Sequence, residues 1–150
     1  MTQVSSDLVL DASVAVQWYL IDEATSQRSL SVSRAFTAGN VRLIAPAHIR
    51  YELGTTLRVA SRAQPPRLSE ADAEANLLDF AQLGIRLVND DALILEAFRV
   101  AGVTGCASYD GLYLALARRL GLPLITADRK LYERIRHLPE ALWIGDWQPG

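Results

Sequence analysis

The chain has 150 residues, 50% of them apolar and 21% charged, with fifteen Lys and Arg against seventeen Asp and Glu for a formal charge of -2 and a pI near 5.6. A domain of this length buries roughly two thirds of its extended-chain surface, and high apolar content at low net charge excludes a disordered chain. Nine glycines and one cysteine exclude collagen-like and disulfide-rich scaffolds, and the small negative charge excludes a protein that coats nucleic acid by bulk electrostatics while leaving room for a local basic patch.

Residues 1–10 carry no Lys or Arg before Asp11, so they do not read as a signal peptide. Residues 7–10 read as a short apolar strand that closes on Asp11. Helical periodicity follows over 14–20 and 26–37, then a second apolar strand over 41–45 and a helix over 47–63. Between Val14 and Phe36, the side chains Trp18, Tyr19, Leu30, Val32 and Phe36 are apolar enough to pack into a core or to offer a groove to an amphipathic helix. The break Gln64-Pro65-Pro66-Arg67 is too short to separate domains. A helix over 69–83 opens on a capping pair, Ser69 with Asp72, and a strand follows over 85–88. A helix over 92–101, an irregular segment over 103–107 and a helix over 108–120 lead to a strand over 122–126. A helix over 129–135 and a last edge strand at Trp143-Ile144 complete the chain. Gly39, Gly84, Gly102 and Gly121 follow helical patterns as C-terminal caps. Cys106 has no His or basic neighbour to activate it and reads as a small core residue. No apolar run reaches the roughly 20 residues that span a bilayer; GLYLALA stops at Arg118 and Arg119. The expectation is one domain over 1–150, cytoplasmic, of the α/β class: a three-layer α/β/α sandwich around a central, mostly parallel sheet.

The positions of particular acids point to chemistry. Asp11 closes the first strand, Asp128 follows a later one, Asp110 opens a helix, and Glu52 lies early in the helix after the second strand. In an open parallel sheet the functional crevice lies beyond the carboxyl ends of the strands, where these acids fall. Singly, Asp11 and Asp128 read as helix caps and Asp110 as a complement to a helix dipole, while Glu52 borders the apolar stripe of Ile49, Leu53 and Leu57. Together, converging carboxylates repel one another unless a cation neutralises them. Oxygen-only ligands suit Mg²⁺, with Mn²⁺ as a substitute. His48 and His137 stand in no zinc-ligand spacing and read as surface or packing residues. Ser13 and Thr126 flank the acids and can orient an aspartate or a water, or serve as turn residues. No G-x-S-x-G, G-x-G-x-x-G or G-x-x-x-x-G-K-[ST] occurs, which removes α/β-hydrolase, dinucleotide and P-loop readings.

At these residues the chain resembles the PIN-domain ribonucleases, most closely the VapC-type toxins of toxin-antitoxin pairs. LVLDASVAV is similar to the family's first strand and maps to Asp11 and Ser13. APAHIRYELGTTL resembles its P-x-x-x-x-E-[LV] helix and maps to Glu52, and SYDGLYLALARRLGLPLITADRKLY resembles its most specific stretch and maps to Asp110, Thr126 and Asp128. The chain departs at Lys130, where some members carry a further acid, which leaves a second metal site without that ligand. The resemblance implies metal-dependent endonucleolytic cleavage of RNA by a PIN-like fold. Asp11, Asp110 and Asp128 would hold the cation, with Glu52 completing the acidic ring or orienting the attacking water. It also implies a small antitoxin and a homodimer. Six basic residues lie between Arg118 and Arg136, and Arg118, Arg119, Arg129 and Lys130 are candidate contacts for RNA phosphates, while Arg50, Arg58 and Arg62 can receive a partner. Two other readings stand beside this one: a metal-dependent phosphatase, although D-x-D-x-T is absent, and a catalytically silent RNA- or protein-binding module on the same fold.

Overall fold

A computed structural model describes residues 7–150. Three central strands carry almost only apolar side chains and are buried along their whole length: β1 (Leu8–Leu10), β2 (Leu43–Pro46) and β4 (Leu124–Thr126). Two edge strands, β3 (Arg86–Val88) and β5 (Ala141–Trp143), are partly exposed. The sheet order is β3-β2-β1-β4-β5 and every neighbouring pair is parallel. Strands buried on both faces need helices above and below, which the chain supplies as α1 (Ala12–Val16), α2 (Ser26–Thr37), α3 (Ile49–Arg62), α4 (Glu70–Gln82), α5 (Ala92–Thr104), α6 (Ser108–Leu120) and α7 (Arg129–Ile135). The architecture is the α/β/α sandwich that the alternation of elements predicts.

The chain builds outward from β1 to β2 and β3, then crosses back to place β4 on the other side of β1. Strand order therefore reverses at β1 and β4, and the crevice beyond their carboxyl ends is where such sheets bind ligands. The register sets its walls. Leu10 pairs with Ile125, and the Asp11 amide donates to the Ile125 carbonyl at 3.1 Å, so Asp11 and Thr126 leave the sheet side by side.

Helix boundaries differ most from the periodic reading at α1 and α5. The first α-helix ends at Val16, because Gln17, Trp18 and Tyr19 tighten to i→i−3 bonds. Gln17 Oε1 accepts from Thr25 and Ser29, and Trp18 Nε1 donates to the Ser29 carbonyl at 2.7 Å. Trp18 and Val32 are thereby core, with Tyr19, Leu30 and Phe36 partly buried and packed against it. Helix α5 runs on through Thr104, past Gly102, whose cost in a helix interior is about 1 kcal/mol. Gly105, at φ 74°, is the residue that ends it. Ser69 does cap α4, its hydroxyl accepting from the Asp72 amide at 3.0 Å. Cys106 is half-buried at the core edge and accepts from the Thr104 hydroxyl at 3.0 Å. Helices α5 and α6 pack most extensively, and Gly111 permits it: a Cβ there would lie 2.5 Å from the Ala97 carbonyl oxygen.

Candidate active site

Asp11 follows β1, and its side chain turns away from the capping position, accepting from no backbone amide of α1. Its Oδ2 accepts instead from Ser13 Oγ at 2.5 Å and Thr126 Oγ1 at 2.8 Å. Ser13 Oγ also accepts from the Ala127 amide, and Thr126 Oγ1 from the Asp128 amide, so the turn after β4 is stitched to the end of β1. Asp128 does cap its helix, Oδ1 accepting from the Leu131 amide at 3.1 Å. In both aspartates one oxygen is fixed and the other makes no hydrogen bond to the protein among the described residues.

Glu52 comes from the first turn of α3 and Asp110 from the first turn of α6. The fully buried Tyr113, one turn beyond Asp110, donates its hydroxyl to Glu52 Oε1 at 3.1 Å. His48 Nε2 lies 2.6 Å from the same oxygen, but out of line for a hydrogen bond. Asp11, Glu52, Asp110 and Asp128 thus line one cleft of about 330 Å³, with Ser13 and Thr56 among its walls. Asp11 is 3% exposed, and burial pushes its carboxyl up to about 7, against the pull of the Ser13 and Thr126 hydroxyls and with further push from Asp110 and Glu52. Burial also raises Asp110, to about 6, with Glu52 and Asp128 adding repulsion. These four acids come from four segments, and among the described residues none of them has a Lys or Arg within ion-pair distance.

Among the described residues, no three Asp, Glu, His or Cys side chains are gathered tightly enough to hold a metal ion by themselves. The donor set nevertheless fits a hard cation that keeps several waters. It consists of carboxylate oxygens alone, each cleft aspartate leaves an oxygen uncommitted, and a nearby positive charge opposes the burial and the added repulsion that raise Asp11 and Asp110.

The basic residues divide. Arg129 and Lys130 open α7 directly after Asp128, where the Arg129 guanidinium lies 4.0 Å over the Trp143 ring and 3.7 Å from Glu133. Arg118 and Arg119 stand two turns beyond Asp110 on α6, where Arg118 pairs with Glu140 and Arg119 with Asp90 and Glu96. Two side chains that shape the site, one lining the cleft and one buried behind it, escape the sequence reading. Glu23, held by Arg67 at 3.0 Å, lines it from the loop before α2, and nothing in the local sequence marks it. Tyr113 is legible only as Asp110 plus three, the spacing of one helical face. His48 is a packing residue as expected, stacked on Tyr109 and against Tyr113, and it touches Glu52 as well.

The PIN domain family model matches residues 8–137, the span that contains every acid lining the cleft. The chain belongs to the PIN-domain family. Ribonuclease VapC3 of Pyrobaculum aerophilum is 30% identical over 127 residues, covering 85% of this chain and 93% of that protein. Ribonuclease VapC12 of Mycobacterium tuberculosis is 32% identical over 133 residues, covering 89% and 95%. These relatives make the chain a PIN-domain protein of the VapC type. The crystal structure of PAE2754 from Pyrobaculum aerophilum superposes with a TM-score of 0.63 at 23% identity, covering 95% of this chain and 93% of that one. Mycobacterium tuberculosis VapC20, described as a sarcin-ricin loop cleaving toxin, gives 0.62 at 15% identity, covering 84% and 93%. At these identities the two structures establish the PIN fold. Among the described residues, no helix is long and apolar enough to cross a membrane.

Proposed function

We propose that this PIN-domain protein is a divalent-metal-dependent endoribonuclease and the toxin of a type II toxin-antitoxin pair, with residues 1–150 acting as one domain. The observation that carries the reading is the meeting of Asp11, Glu52, Asp110 and Asp128 in one cleft at the strand-order reversal, with Asp11 and Asp110 raised by burial and mutual repulsion. The ribonuclease names of its VapC relatives support the choice of RNA. Asp11, Asp110 and Asp128 would hold Mg²⁺ or Mn²⁺, directly or through water. The chemistry such a cation supplies is activation of water and neutralisation of charge on the phosphoryl oxygens.

The chain's own side chains do the positioning. Ser13 and Thr126 fix Asp11 Oδ2 and so aim its other oxygen into the cleft. The Leu131 amide does the same for Asp128, and Tyr113 holds Glu52 where it can orient the attacking water and accept its proton. Arg129 and Lys130, beside Asp128, receive phosphates on either side of the cut, and Arg118 and Arg119, two turns beyond Asp110 on α6 and paired with acids, lie farther from it along the helix. A small antitoxin and a second copy of the chain complete the set of partners, in the cytoplasm.

Incubating the purified chain with structured RNA and with phosphate monoesters, in Mg²⁺, Mn²⁺ or chelator, tests this reading beside Asp11→Asn and Asp128→Asn. The expected result is metal-dependent RNA cutting that both variants lose. Equal cutting by parent and variants would sink the site. Release of phosphate from monoesters with no RNA cutting would point to a phosphatase, and binding without cutting in either metal to a silent module.

A further inference from the structure

We propose that a groove adjoining the carboxylate cleft, walled by His48, Tyr51 and Tyr109, stacks one unpaired nucleobase of the RNA substrate, an inference that rests on the ribonuclease reading above. The groove encloses about 450 Å³, within the range of small-ligand pockets, and its wall is mostly apolar. Glu52 and Thr56 line both it and the cleft, so the two are continuous. A strand whose phosphate lies over the acids therefore brings a neighbouring base against α3 and the start of α6.

Two of the exposed aromatic side chains stand beside the cleft acids, and a third, Phe98, lies on α5. Trp18, Phe80, Tyr113 and Trp147 are buried, whereas Tyr51 is 74% exposed and Tyr109 65% exposed, each one residue from a cleft acid. Tyr109 is braced: its ring stacks on His48 with centroids 5.4 Å apart and planes 28° apart, and His48 rests on the buried Tyr113 at 4.9 Å. That backing presents a ring at low entropic cost. Stacking on an aromatic face tolerates any base, which suits a groove whose polar groups are few. Arg50 supplies charge at the rim. Its guanidinium lies 6.0 Å from the Tyr51 ring and, among the described residues, forms no ion pair, its Nε donating only to the Ala47 carbonyl. The Thr55 hydroxyl, also without a hydrogen bond among the described residues, lines the same groove and can meet a base edge. Bases within a duplex are already stacked and cannot offer a free face, so the ligand is single-stranded.

The test measures binding of short single-stranded RNAs, each carrying one 2-aminopurine at a successive position, to the Asp128→Asn protein in Mg²⁺. One position is expected to lose fluorescence on binding as its base stacks. Tyr51→Ala in that background should weaken binding about 5- to 100-fold and abolish the quench, while Tyr51→Phe keeps both. Unchanged affinity and quench in Tyr51→Ala would overturn the proposal, as would equal affinity for the same sequence in duplex form. A change of oligomeric state in Tyr51→Ala, read by sedimentation, would also overturn it by making this face a contact between copies. Failure of the ribonuclease reading shows separately, as RNA left uncut by the unsubstituted chain in both Mg²⁺ and Mn²⁺.

Discussion

The two ends of helix α6 carry opposite charges under opposite conditions. At its start Asp110 faces Glu52 and Asp128, has no basic side chain within ion-pair distance among the described residues, and is raised to about 6. At its end Arg118 and Arg119 each find a carboxylate, on Glu140 and on Asp90 and Glu96. Charges that serve only structure and solubility acquire local partners. Carboxylates held against one another in a buried crevice destabilise the fold, and that arrangement persists where a ligand brings the missing charge.

Replacing Asp110 by Asn should have the largest effect at this pair of ends: RNA cutting falls to the level seen with chelator, while the thermal midpoint of the metal-free protein holds or rises. Retained cutting would break the comparison. Tyr113→Phe, which frees Glu52 Oε1 from its donor, should lower cutting by about 10- to 100-fold, the usual scale for groups that orient a metal-site residue, with folding checked by circular dichroism. Gly111→Ala, between these two, drives a methyl toward the Ala97 carbonyl and should cost about 1–3 kcal/mol in urea unfolding.

A smaller effect concerns pH. Asp11 titrates near 7 in the native state and near its ordinary value of 3.8 when unfolded. Between those values the native state holds a proton that the unfolded state has released, so the stability of metal-free protein falls as pH rises from about 4 to about 7. The slope contributed by this one group is at most about 1.4 kcal/mol per pH unit. Asp11→Asn should flatten it, and Mg²⁺ should raise the thermal midpoint most at the upper end of that interval, both readable by calorimetry. Least of all, Arg119→Ala should leave the thermal midpoint and the cutting rate almost unchanged, since exposed ion pairs contribute little.

Much of this was legible in the residues. Apolar runs of four to five residues separated by helical periods specify a parallel sheet, and α2, α6 and α7 begin and end where their patterns do. Boundaries that depend on side-chain bonds were less legible. Gly102 carries the sequence signal of a helix stop, yet Val100 is buried on the same helix and the chain stays helical until Gly105 takes up a left-handed φ. Asp11 and Asp128 look alike as caps, and only Asp128 serves as one, because Ser13 and Thr126 capture Asp11 first.

The alternation of strands and helices, the family and the four acids are written in the chain itself, because each is encoded in local periodicity or in motifs a few residues long. Which charges find partners depends on packing. The strand order that sets Asp11 beside Thr126, the turn of α6 that brings Tyr113 to Glu52, and the ion pairs that occupy Arg118 and Arg119 all join residues far apart in the chain. Burial and distance fix their electrostatics, and neither quantity exists until the sheet and its helices have packed.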